Sequence, residues 1–206
     1  EGARIYVHGG LVLPVNEGDS PFTDGRIFVG PKGQLTINGT AEKPVKFRGD
    51  RLEEEFAEND GQWGGIVIFN SNRVNKFSYL DLRNSNFGIL ADSATTLHID
   101  HSIIDNVVLN CLIGNHATII ASNCQFSNSV GYNVVLTYGG NYSFEYCSVP
   151  NVSGQSFAMS LDNYKCTLDE LGNCKSGSVR TNKTILSVKN CILSGLDDDE
   201  IKMVDA

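Results

Sequence analysis

Three eight-residue stretches carry a cysteine in the same fourth place: "ASNCQFSN" at 121–128, "FEYCSVPN" at 144–151 and "VKNCILSG" at 188–195. They belong to a longer repeat. Asn84, Asn106, Asn128 and Asn151 follow one another at 22, 22 and 23 residues, and Gly195 comes 44 residues later. A fixed period of this length marks a solenoid, in which one repeat buries its apolar face only against the next. Few other folds are compatible with it.

Columns aligned on that anchor give the type of element. Seven residues before it stand Phe77, Ile99, Ala121, Phe144 and Val188. Four before stand Leu80, Ser102, Cys124, Cys147 and Cys191; two before stand Leu82, Ile104, Phe126, Val149 and Leu193. The positions between them are polar, as in Ser78, Asp100, Ser122, Glu145 and Lys189. Alternation of this kind means strand. The change of step between seven and four before the anchor means a corner. A second apolar run follows each anchor: "GILA" (88–91), "CLIG" (111–114), "NVVL" (133–136) and "FAMS" (157–160). Short strands of one direction with no helices between them predict an all-β chain. The fold expected is a right-handed parallel β-helix of about 22 residues per coil, one domain over 1–206. Insertions break the pattern near 11–26, 49–62 and 161–184.

Coils stacked about 4.8 Å apart put each corner cysteine above the last. Cys124, Cys147 and Cys191 are therefore read as core packing, small enough for a tight bend. Cys111 shares a column with Gly88 and Asn133 and is also read as structural. The anchors Asn84, Asn106, Asn128 and Asn151 are expected to point inward as an amide ladder. Cys166 and Cys174, eight apart within 161–184, can close a local disulfide in an oxidising compartment or remain thiols.

Composition narrows the function. The 206 residues suffice for one sizeable core, and a net charge of −8 argues against a nucleic-acid or anionic-membrane binder. No apolar run approaches a membrane span of roughly 20 residues. The chain opens inside a strand-like pattern, "EGARIYVHGG", so its natural N-terminus is expected to lie elsewhere. No CxxC pair occurs, and the histidines at 8, 98, 101 and 116 stand apart from any cysteine cluster, so neither a metal site nor a cofactor is expected. The run "LDDDE" at 196–200 could offer calcium its oxygens, but it lacks the glycine and distal glutamate of an EF-hand loop and is read as a solvated end.

Two outward columns bear on chemistry. Asp100 and Glu145 share one, two coils apart with Ser122 between, a separation of roughly 10 Å that suits an inverting carboxylate pair. No basic residue or third carboxylate joins them, so catalysis is kept as the alternative reading. A corner column holds Tyr79, His101, Asn123, Tyr146 and Asn190. Tyr79, His101, Asn123 and Tyr146 are candidate ligand-binding residues, because aromatic rings stack on sugars while amides bond their hydroxyls. Arg83 and Asp105 are predicted to pair across neighbouring coils.

The ordered segments "NGTAEKPVKFRGDRLEEEF", "GQWGGIVIF", "GILADS" and "NCILSGLDDDEI" resemble a family of right-handed β-helix lipoproteins of anaerobic Gram-negative gut-type bacteria. The resemblance covers most of 1–201. It implies a lipidated protein of the outer membrane or cell surface, attached through an anchor outside this chain, and it implies no established activity. Asp92-Ser93-Ala94 also matches the short O-glycosylation pattern of such bacteria, which makes Ser93 a candidate site.

The leading expectation is a non-catalytic surface or periplasmic lipoprotein whose solenoid binds a polysaccharide or an outer-membrane protein complex. The alternatives are a polysaccharide lyase or glycoside hydrolase using Asp100 and Glu145, and a purely structural subunit of an outer-membrane assembly. A cleft formed by the loops 49–62 and 161–184 over the Asp100 column would favour the enzyme.

Overall fold

The structure, a computed structural model, describes residues 3–7, 25–51, 53–69, 72–151, 157–195 and 199–205. The insertion near 11–26 lies almost entirely outside them, as does 196–198 of the acidic run.

The chain is a parallel β-helix. Three parallel sheets are visited in fixed rotation. Sheet A has seven strands, from Arg4–Val7 to Ile192–Ser194; sheet B has seven, from Arg26–Val29 to Ile201–Val204; sheet C has six, from Thr36–Asn38 to Thr184–Lys189. Each coil runs B to C to A and then repeats one rung along. Pairing is in register through the middle: Leu97, Ile119 and Tyr142 align in sheet C, and Leu82, Ile104 and Phe126 in sheet A. The 22-residue period is this register written into sequence, because one residue more or less would turn every side chain of a strand to the wrong face.

The core is the set of stacked inward columns. Phe77, Ile99, Ala121 and Phe144 are all buried, and so are Leu82, Ile104, Phe126 and Val149. Trp63 is fully buried, its ring 6.2 Å from that of Phe47 and its indole N–H donated to the Arg83 carbonyl at 2.9 Å.

Three corners join the sheets, and each is turned by a residue with positive φ. From A to B these are Asn84, Asn106 and Asn128, at 62°, 54° and 54°. From B to C they are Ala94, His116 and Tyr138, at 61°, 51° and 57°. From C to A they are Tyr79, His101, Asn123, Tyr146 and Asn190, between 47° and 54°. The left-handed conformation reverses the chain in one residue and keeps the next side chain pointing in.

That geometry explains the cysteines. The residue after each C-to-A corner sits inside the bend and closes it. Ser102 Oγ donates to the Asp100 carbonyl at 2.7 Å and accepts the Leu80 N–H at 3.0 Å. Cys124, Cys147 and Cys191 donate their thiols in the same way to the carbonyls two residues before, of Ser122, Glu145 and Lys189, at 3.1, 3.5 and 3.2 Å. The Cys147 N–H in turn reaches Cys191 Sγ at 3.3 Å.

The asparagine anchors need a correction. They do not stack as an inward amide ladder. Asn84 is buried, but Asn106 is half-buried and Asn128 exposed. Their amides serve neighbouring structure: Asn84 Nδ2 donates to Ala57 O at 2.7 Å, Asn106 Nδ2 to Glu58 O at 2.9 Å, and Asn128 Nδ2 to Asp105 Oδ1 at 2.8 Å. The reason is conformational. Asparagine tolerates the left-handed region better than other non-glycine residues, so here it is chosen for the bend and not for stacking. Asn151 has no positive φ; it is buried and donates to the Phe157 carbonyl at 2.8 Å.

The insertions leave at different corners. The segment 49–62, with a 3₁₀ turn at Glu54–Phe56, passes from sheet A to sheet B and lies over the Asn84–Asn106 corner that holds it. The segment after Met159–Asp162 leaves between sheets B and C. It forms an antiparallel pair, Tyr164–Lys165 with Arg180–Thr181, beyond which Cys166 and Cys174 are joined as a disulfide.

Candidate functional site

Among the described residues, the C-to-A corner gathers the predicted binding residues in one place. Tyr79, His101, Asn123 and Tyr146 line one shallow depression of about 400 Å³, with Ser102, Cys124 and Gln125 at its floor and side. The rings of Tyr79 and His101 stack at 4.8 Å with 19° between their planes. Asn123, one rung on, is short and leaves a step. Tyr146 stands beyond the step, 57% exposed. Asp100 fixes the imidazole: its Oδ1 lies 2.9 Å from His101 Nδ1, while its Oδ2 accepts the Ser78 hydroxyl at 2.6 Å. The result is a column of aromatic side chains along the helix axis, in which Tyr79 and His101 face each other and an amide separates them from the exposed Tyr146.

The backbone makes this row notable. Asparagine at positions 123 and 190 adopts positive φ readily. Tyrosine at 79 and 146 does not, because a bulky residue in the left-handed region costs on the order of 1 kcal/mol. Backbone strain of this kind gathers at functional sites, where a side chain must be aimed.

Asp100 and Glu145 fall where the sequence puts them, in register with Ser122 between. The expectation that no basic residue joins them is corrected: Lys189 is the direct cross-strand neighbour of Glu145 and continues the column. The loops 49–62 and 161–184 leave from the other two corners, so they build no cleft over this column. The condition set for the enzyme reading is not met, and the Asp100 carboxylate is occupied by Ser78 and His101.

On sheet A, Asp81 holds Arg48 at 2.7 Å and Arg83 at 2.9 Å, and Arg83 also reaches Asp105 at 3.1 Å. Asp105 is nearly buried and accepts the hydroxyl of Ser127 at 2.7 Å. Burial pushes the Asp81 carboxyl up, but its bonds to Arg48 and then Arg83 outweigh this and hold it below its usual range. Arg83 feels burial in the opposite sense, and Asp81 overcomes it to raise the guanidinium. This network ties neighbouring strands of sheet A together.

The thiols are similarly internal. The neighbouring Cys147 sulfur and burial push the Cys124 thiol up, and Cys124 in turn draws Cys147 down against its burial. Burial raises Cys111, with the Asp105 charge adding to it. Cys111 contacts Asn133, and Asn133 is the buried amide of that column: it accepts the Ser129 hydroxyl at 2.7 Å and donates to Pro150 O at 2.6 Å. Tyr142, inside the solenoid, donates its hydroxyl to Gly139 O at 2.8 Å and is pushed by burial to about 12. Ser93 lies in the turn before Ala94, half-buried. Among the described residues no group of three or more His, Cys, Asp or Glu side chains is placed to hold a metal ion.

Sequence reasoning missed a second aromatic corner. His116 and Tyr138 meet at 5.4 Å on the B-to-C turn, and Lys165 Nζ lies 4.1 Å from the centre of the Tyr138 ring. The signal was present as two aromatic residues 22 apart, but it falls between the aligned strands.

Comparison with protein-family models, with curated proteins and with solved structures finds no match to this chain.

Proposed function

We propose that this chain is a non-catalytic binding scaffold of a bacterial cell envelope, a lipid-anchored surface or periplasmic protein, and that its C-to-A corner binds a glycan. The observation that carries the binding reading is the row Tyr79, His101, Asn123 and Tyr146, with tyrosines held at positive φ along one depression. A coil rise of about 4.8 Å is close to the length of one pyranose in an extended chain. A linear polymer can therefore keep step with the solenoid, running along the edges of the stacked Tyr79 and His101 rings, stacking one sugar on the exposed Tyr146 ring and hydrogen-bonding Asn123 and Gln125. The envelope location rests on the resemblance in sequence motifs.

The test is electrophoresis in native gels cast with neutral polysaccharides, comparing the protein with Tyr79→Ala and Tyr146→Ala. Retardation by at least one polymer, weakened several-fold in both variants with the polymer left uncut, supports the reading. Retardation unchanged in both variants sinks the corner as the site. Shortened polymer restores the lyase or hydrolase reading, and the absence of any retardation points to a protein partner.

A further inference from the structure

The hairpin that leaves between sheets B and C differs in charge from the body that bears it. Between residues 163 and 183 stand Lys165, Lys175, Arg180 and Lys183 against Asp169 and Glu170, in a chain of net charge −8. Two of these cations are placed together. Lys165 and Arg180 are direct partners across the antiparallel pair, so both side chains leave the same face of the ribbon. Just beyond the two strands, the Thr167 N–H donates to Ser178 Oγ at 3.2 Å, which sets these two residues side by side. These four line one hollow of about 380 Å³ with Cys166.

The cations are held but not neutralised. Lys165 Nζ rests over the Tyr138 ring at 4.1 Å. Arg180 Nη1 donates to the carbonyls of Gly177 and Val179, each at 3.1 Å. Neither forms an ion pair with a carboxylate among the described residues. The two nearest carboxylates in sequence to Lys165 are otherwise used: Asp162 accepts the Tyr138 N–H at 2.7 Å, and Asp169 accepts the N–H groups of Leu171 and Asn173 in its own turn. The Cys166–Cys174 disulfide closes the loop beside the hollow. Charged side chains fixed by a ring and by backbone carbonyls, with hydroxyls next to them, form a receptor for an anion.

We infer that this hairpin face is an anion-binding site, separate from the C-to-A corner, and that it takes the charged groups of an acidic polysaccharide. Lys165 and Arg180 bind a carboxylate or sulfate, and Thr167 offers its hydroxyl beside them. A polymer is favoured over a small anion because the hollow does not end at the cations: Lys165 covers Tyr138, and the exposed His116 ring next to Tyr138 extends the surface onto the solenoid. The acidic body repels a polyanion elsewhere, which confines binding to this protrusion.

The experiment is native-gel retardation by polygalacturonate, which carries carboxylates, by dextran sulfate, and by neutral dextran, each at low salt and near 0.5 M salt. The chains compared are the wild type, the double variant Lys165→Gln/Arg180→Gln, the charge-matched control Lys32→Gln/Lys43→Gln, and Tyr146→Ala. Expected is retardation by polygalacturonate or dextran sulfate that fades at high salt, with the more effective polymer identifying the anion. The hairpin variant should need at least about tenfold more polymer for half-retardation. The control should behave as wild type, and so should Tyr146→Ala with the acidic polymers, which separates this site from the corner. Equal loss in the charge-matched control would reduce the effect to net charge and overturn the site. So would full retardation of the hairpin variant, or retardation by no acidic polymer. Both hairpin positions are exposed, so folding is not at stake, and a free-thiol count confirms that the disulfide is intact.

Discussion

Two corners of the same solenoid solve one backbone problem with different residues. The A-to-B corner is turned by Asn84, Asn106 and Asn128, and it is covered: the amides of the first two hold the carbonyls of Ala57 and Glu58 in the loop above. The C-to-A corner is turned by Tyr79, His101, Asn123, Tyr146 and Asn190, and it is bare apart from the depression these residues line. Asparagine meets the conformational demand cheaply, and along the A-to-B corner it serves structure alone. Tyrosine meets it at a cost, and at Tyr146 the ring is more than half exposed. The difference separates a corner optimised for stability from one that gives up some stability to display side chains.

The largest effect is expected at Asn84. Replacing it by alanine keeps a Cβ in the left-handed region and removes the bond to Ala57, for a loss of about 2–3 kcal/mol. Asn84→Gly removes the bond but relieves the backbone, so it should lose about 1 kcal/mol less. Urea unfolding of the two variants separates the terms. If both lose the same amount, conformation is not why asparagine stands there, and the comparison between the corners breaks.

A smaller effect is expected on sheet A, between the two corners, where Asp81 joins Arg48 and Arg83. The folded carboxyl titrates below its unfolded value. The stabilisation is therefore fully present above the unfolded value of about 3.9 and is lost as pH falls through the folded one. Asp81→Asn should cost about 1–2 kcal/mol at neutral pH. The gap to wild type should close on acidification below about pH 4. A gap that persists unchanged at the acid end would show that the aspartate contributes through packing and not through its charge.

The sheets and their register were legible in the sequence because a 22-residue period cannot be kept by accident across alternating columns. The corners were only half legible. Asparagine is both the residue that stacks in ladders and the residue that enters the left-handed region, so its recurrence at 84, 106 and 128 marks a repeated demand without saying which one. The outward row at 79, 101, 123 and 146 was visible as a column. Its strain was not, since φ is a property of the folded chain. Arg48 escaped notice because the insertion at 49–62 sets it 33 residues from Asp81, outside the period that aligned the other columns. Lys165 escaped for a related reason: it approaches Tyr138 from an inserted hairpin, and no periodicity connects them.

The smallest effect tests the comparison most directly. Tyr146→Asn puts the residue type of the covered corner into the bare one. Tyr146 is more than half exposed, so little buried area is lost, and asparagine relieves its positive φ of 54°. The variant should be more stable than wild type by about 0.5–1 kcal/mol. In thermal unfolding that is a rise of roughly 1–4 °C for a chain of this size. It should also lose retardation by the neutral glycan that binds the corner. A rise in stability together with a loss of binding is what a residue kept for its ring predicts. A fall in stability would mean that Tyr146 packs usefully against the corner. The tyrosines would then be as structural as the asparagines opposite, and the depression between them would have no special standing on the surface.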